Sequence, residues 1–284
     1  MTTGKTQLTP RGARQGPGSG TGTEPGAVQG RGRLVLPALA LTTAVSALGL
    51  SIANVALPAV AAQFAVPMTT VQWATLSYLL TMTISVVLVA RLSDQFGRST
   101  VLGAGALLYL VGSVLAAAAP GFGLLVAARA VQGVGAAAMA ALPMAVLREV
   151  IAAERIGRAM GVLGSSMAAG MALGPAAGGF LVSLFGWRGV FVVLAVLAVG
   201  VFALVRKSLP APTTDGAEHA GAGERARFDV PGATALVAAL AVFSVALTLR
   251  PGGWGGAVAL LALAVGLAAL FVAIELRVAQ PLVD

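Results

Sequence analysis

Long apolar stretches recur eight times in this chain, at roughly 34–61, 71–90, 100–119, 122–146, 157–184, 189–205, 231–249 and 255–274. Each is bounded by charged, polar or Pro/Gly residues. This recurrence constrains the fold more than any other feature. A bilayer core takes about 20 apolar residues of helix. Inside hydrocarbon the backbone satisfies itself only as helices or as a closed barrel. A barrel needs short strands of alternating polarity, and these runs do not alternate. The pattern predicts an all-α membrane protein with about eight transmembrane helices. Composition agrees: 58% of the 284 residues are hydrophobic, 10% are charged and the mean hydropathy is +0.93. A soluble domain is nearer a quarter charged. An ordinary cytosolic enzyme, a disordered protein and a collagen-like fibre are excluded.

The positions of the basic residues set the orientation. Residues 1–33 are rich in Gly, Thr, Pro, Arg and Gln without apolar periodicity, which predicts a disordered cytoplasmic tail. The apolar stretch after Arg33 is too long for a cleaved secretory signal. With the N-terminus inside, the inner segments hold 15 of the 18 basic residues, among them Arg91, Arg98, Arg148, Arg155, Arg158, Arg206 and Lys207. The outer loops hold Arg188 and Arg250. That bias predicts a multi-pass protein of the cell membrane with a cytoplasmic N-terminus. It also accounts for the net charge of +8 without nucleic acid. Residues 206–230 form one longer inner loop that divides six helices from two.

The chain offers little raw material for an enzyme. It has no cysteine and one histidine, His219, in the polar linker. Disulfides, thiolate metal sites and a Ser/His/Asp set are excluded, and no carboxylates cluster. The glycines form no strand–loop–helix unit that would cradle phosphate. The sequence predicts neither cofactor nor metal.

Four segments carry functional signals. The loop after the second span reads Ala90-Arg91-Leu92-Ser93-Asp94-Gln95-Phe96-Gly97-Arg98. Gly97 permits a tight turn of positive φ, and Asp94 can accept bonds from free N–H groups at a helix start. A plain charged turn explains the same residues. The fourth span carries Arg129 in its first half, followed by Gln132 at i+3 and Gly133 at i+4. An arginine inside a span costs about 2.5–3.5 kcal/mol on insertion scales. It belongs to a wet cavity or the protein interior, unless it snorkels from a helix end. In the fifth span Gly170, Gly174 and Gly178 recur every four residues, with Pro175 and Gly179 beside them. Such a face admits a close helix neighbour, and the proline removes a helix hydrogen bond. Tight packing and a moving hinge both fit. Asn54, in the first span, is read as a buried amide that needs a partner from a neighbouring helix or cavity water.

In this order and on these spans, the four segments resemble the major facilitator superfamily. The Asp94…Gly97-Arg98 loop is similar to its motif between helices two and three. Arg129-x-x-Gln132-Gly133 is similar to its helix-four motif. The Gly170…Gly174-Pro175-x-x-Gly178-Gly179 run resembles the helix-five motif of its drug antiporters. With Asn54-Val55-Ala56-Leu57-Pro58 and two helices after the sixth span, the ensemble resembles the 14-helix drug:proton antiporter family.

The resemblance implies an N-terminal six-helix half at 34–205, two additional helices at 231–274, and a secondary transporter exporting small amphipathic substrates by proton antiport. It implies that Asp94 and Arg98 help latch an inner gate, that Arg129 takes part in proton coupling, and that the Gly/Pro face serves the antiporter machinery. Three departures stand against this pattern. Ala90 and Ser99 replace a usual Gly and a usual second basic residue. Gly49 lies where the first helix often carries Asp, so no carboxylate sits deep in these spans. A second six-helix half, roughly 150–200 further residues by span length, is missing, and residues 275–284 read as a lead-in to it. The expected partners are therefore substrate, proton and bilayer, with the missing half or a homodimer completing the passage. The competing reading is a non-transporting truncated membrane protein or an assembly partner packing through its glycine face.

Overall fold

The computed structural model describes residues 25–209, with side chains from Leu34 onward, and four isolated helical positions at 259, 262, 263 and 266. The described residues form α1 (Pro25–Phe64), α2 (Met68–Val71), α3 (Trp73–Phe96), α4 (Arg98–Ala117), α5 (Phe122–Val150) and α6 (Ala153–Ser208). No strand occurs among them. The segment 1–24, the loop from 210 to 230 and, apart from the four isolated positions, the two spans at 231–249 and 255–274 lie outside the described residues. Helix α1 begins at Pro25 and so takes in residues that composition assigns to the tail. Proline is well suited to a first helical position.

At 56 residues, a straight α6 would run about 84 Å, far beyond one bilayer crossing. Gly186 divides it, with φ 68° and ψ −178°. The residues on either side form two arms, which correspond to the fifth and sixth apolar stretches. Counting both arms, the described residues supply six crossings, with α2 a short lead-in to α3.

Helix α5 lies between α3 and α4, while α1 packs along α6 and also touches α5. In lipid, close packing and interhelical hydrogen bonds hold helices together in place of a hydrophobic driving force. Small residues allow that closeness here. A Cβ on Gly112 of α4 would come within 2.6 Å of the Gln132 backbone nitrogen on α5. A Cβ on Gly135 of α5 would strike the backbone of Tyr109 and Gly105. Hydroxyls add bonds at the other flank: Ser77 Oγ donates to Val126 O (3.2 Å) and Thr81 Oγ1 to Ala130 O (2.8 Å).

The two ends of the bundle differ. At one end Phe64, Phe122, Trp187 and Phe191 form a ring cluster, and Trp187 Nε1 donates to Gln63 Oε1 at 2.6 Å. Arg188 stacks on Trp187 and donates to Ala119 O. The other end carries Asp94, Arg98, Glu149 and Glu154. The outward faces of α4 (Leu107, Val111, Val114) and of the second arm of α6 (Val192, Val196, Val199) are exposed and apolar, as a lipid-facing surface must be.

Candidate functional site: a buried guanidinium between three helices

Arg129 lies in the eighth position of α5, about 10 Å along the helix from its first residue. Its side chain turns inward and is only 1% exposed, so it does not snorkel. Nε donates to the Ala74 carbonyl of α3 at 3.1 Å, and Nη1 donates to Gln132 Oε1 at 2.5 Å. Gln132, one turn further along α5, passes the chain to α4: its Nε2 donates to Ser113 Oγ at 2.7 Å, and Ser113 Oγ donates to Tyr109 O at 2.7 Å. The guanidinium carbon sits 4.1 Å from the centre of the Tyr78 ring and 5.9 Å from that of Phe191.

Carbonyl dipoles and ring faces therefore balance this charge. Among the described residues no carboxylate reaches it; Asp94, Glu149 and Glu154 all lie at the charged end. Arg129 Nη2 and Tyr109 Oη have no hydrogen-bond partner although both are buried. Gly49 of α1 makes room for that tyrosine, because a Cβ at position 49 would fall on Tyr109 Oη. Tyr78, Tyr109 and Ser113 escape the sequence reading. The available signal is scarcity: the chain has two tyrosines, and both line this site.

Asn54 departs from its expected setting. It is exposed rather than buried, and its Oδ1 accepts a bond from Thr75 Oγ1 at 2.8 Å. It stands apart from the Arg129 cluster, although Thr75 neighbours Ala74, whose carbonyl holds Arg129. An amide within an apolar run does not reveal whether its helix face is covered.

At the charged end, Gly97 adopts φ 83° between α3 and α4. Asp94 does not cap the next helix. It lies exposed in the last turn of α3, and no side chain caps the start of α4. Arg98 instead reaches α5, where Nη1 pairs with Glu149 Oε1 at 2.7 Å and donates to Ala145 O at 3.1 Å. Glu149 carries no distinct signal in the sequence, where it is one charge among several in the loop.

On the first arm of α6, Gly170, Gly174 and Gly178 are buried against α1. Added Cβ atoms would meet Ala44 O, the Ser51 side chain and Ile52 O respectively. Gly179 does not share this face: it is exposed, with open space where its Cβ would go. One residue further on is about 100° further round the helix. Pro175 is exposed, and the non-helical dihedrals of α6 fall at Gly186 rather than there. Among the described residues no group of metal-ligating side chains gathers.

Comparison with known proteins places these features in context. Residues 39–284 match the model of the Major Facilitator Superfamily. The chain is 34% identical over 236 residues to the puromycin resistance protein pur8 of Streptomyces alboniger, covering 82% of this chain and 45% of that protein. It is 33% identical to the multidrug resistance protein Stp of Mycobacterium tuberculosis, covering 82% and 43%. It is 28% identical to the riboflavin transporter RibZ of Clostridioides difficile, covering 70% and 42%. The chain thus spans less than half the length of these relatives. The solved structure of the POT family transporter PepTSo shares the fold, with a TM-score of 0.60 at 15% identity over 87% of this chain and 55% of that one.

Proposed function

Since the chain belongs to the Major Facilitator Superfamily, a family of membrane transporters, we propose that its helices form part of a secondary transporter that exports small amphipathic molecules in exchange for protons. The observation that carries this reading is Arg129. A guanidinium held away from lipid and water among apolar helices is costly, and here no carboxylate offsets it among the described residues. Packing alone gives no reason to keep such a charge. A fixed positive charge lowers the proton affinity of any group that approaches it. Arg129 thereby links proton occupancy to helix position. On this reading the proton carrier lies outside the described residues, and Gln132, Ser113 and the two tyrosines hold Arg129 in place.

The six crossings form one wall of the passage, with residues 231–274 supplying two further helices. The facing wall is a second copy of the chain or further helices of a longer one, because alternating access rocks one bundle against another. Asn54, bonded to the half-buried Thr75, places an amide on an exposed surface of α1, where a loosely specified amphipathic ligand can find a polar contact. The charged-end turn with Asp94, Gly97 and Arg98 acts at the cytoplasmic gate.

Reconstitution into proteoliposomes tests this directly. Puromycin uptake driven by an acidic lumen, followed together with a lumenal pH dye, is expected with the wild-type protein. It is expected to fall to background in Arg129→Ala at equal incorporation. Gradient-driven uptake retained by the variant would remove Arg129 from coupling. Wild-type protein that moves neither puromycin nor riboflavin would overturn transport by this chain.

A further inference from the structure

We infer that Ser51 of α1 is the latch of a hinge at Pro175 in α6. Proline has no backbone N–H, so Pro175 leaves the carbonyl four residues earlier without its helical donor. That carbonyl belongs to Met171. Ser51 Oγ, on a different helix, donates to Met171 O at 2.9 Å. The hydroxyl thus replaces the one backbone bond that the proline deletes, and α6 continues with helical dihedrals through this point. Gly174 makes the replacement possible: a Cβ there would collide with the Ser51 side chain. Three features of separate origin therefore converge on one atom, the Met171 oxygen.

The same geometry makes the latch reversible. A serine within a helix can turn its hydroxyl to the carbonyl four residues back, here that of Ala47. Ser51 is half-buried and Met171 is 50% exposed, so water can take over the released carbonyl where this face is wet. Either state leaves few polar groups unsatisfied. With the latch closed, the first arm of α6 is braced on α1. With it open, the arm has a missing hydrogen bond at Pro175 and bends there. The Gly170–Gly174–Gly178 seam lets the arm pivot because its three closest contact positions on α6 carry no side chain. At the far end, Trp187 and Gln63 still tie α6 to α1 beyond the Gly186 break. The functional use of the hinge rests on the transporter reading, whereas its existence does not.

The experiment takes advantage of a chain without cysteine. Spin labels at Ser165→Cys and Ser183→Cys, both exposed, straddle Pro175 at about 27 Å along a straight helix. Pulsed dipolar spectroscopy on the full chain in nanodiscs is expected to give a narrow distance distribution. Ser51→Ala is expected to broaden it and shift it to shorter distances. Adding Pro175→Ala restores the Met171 hydrogen bond internally, so Ser51→Ala/Pro175→Ala is expected to return to the narrow distribution. Broadening by Ser51→Ala that persists beside Pro175→Ala would mean that Ser51 acts through packing, and the latch would be wrong. An unchanged distribution in Ser51→Ala would overturn it equally. No substrate enters this readout, so a failure of puromycin uptake does not bear on the hinge.

Discussion

Helices α5 and α6 each come close enough to a neighbour for backbone to touch backbone, yet they hold that neighbour differently. The α5 seams are cross-linked. Arg129, Gln132 and Ser113 run as one hydrogen-bonded chain from α3 to α4, and Ser77 and Thr81 donate across to α5 carbonyls. The seam between α1 and the first arm of α6 is nearly bare, with three glycines against backbone and Ser51 bonded to Met171. A cross-linked seam has one register, since each polar group that slips out of place in a dry interior loses its partner. Apart from that one bond, a seam of glycines resists movement only by steric fit. The bundle therefore combines a cross-linked core around Arg129 with an arm held on α1 by far fewer bonds.

The same substitution at both seams probes this contrast most strongly. In Gly135→Ala the new Cβ meets backbone atoms of Tyr109 and Gly105, which cannot rotate aside. Overpacking of that kind is expected to cost about 3 kcal/mol, read as a large drop in the unfolding temperature in detergent. In Gly178→Ala the new Cβ comes 3.1 Å from Ile52 O and Val55 Cβ, contacts that a small shift of the helices relieves. The expected cost is about 1 kcal/mol. Equal losses at the two positions would mean that the seams do not differ.

Thr81→Ala tests the cross-links on a smaller scale. Its hydroxyl bonds to Ala130 O at 2.8 Å and also to carbonyls of its own helix. Interhelical side-chain bonds in membranes average about 0.6 kcal/mol, so a loss of that order is expected in a thermal melt. A loss several times larger would indicate that Thr81 is also needed to seat Gly133, whose missing Cβ leaves room for it.

The sequence is most readable where function and geometry lie within one helix. Arg129 and Gln132 are three residues apart on one helix face, and the cost of an intramembrane arginine singles out the pair. The Gly170–Gly174–Gly178 repeat defines a face without reference to its partner. The break at Gly186 falls between two apolar stretches, in the gap that their lengths require. What is not readable depends on register between helices. Nothing in α3 or α4 alone tells that Tyr78 will lie under Arg129 or that Ser113 will meet Gln132. Asn54 shows the same limit, since periodicity does not decide which side of α1 stays uncovered. Glu149 is hidden by abundance, as one charge in a charged loop.

The pair at the charged end extends the contrast to the rim of the α5 seams. Arg98 and Glu149 join α4 to α5, as Gln132 and Ser113 do, but their side chains are 33% and 54% exposed. Water screens such a pair, and exposed ion pairs contribute about 0.2–1 kcal/mol. Arg98 also has a second hold on α5 through Ala145 O, near the helix C-terminus, where positive charge is favoured. Glu149→Gln therefore removes the ion pair and leaves Arg98 in place. The expected loss is below about 0.5 kcal/mol, and it should vanish in about 1 M salt, where the Debye length is near 3 Å. Arg98→Ala removes both contacts and is expected to cost about 1 kcal/mol, part of it insensitive to salt. A salt-independent loss of about 2 kcal/mol or more in Glu149→Gln would place this rim with the dry core, and the division between an exposed, weakly held end and a fixed centre would fail.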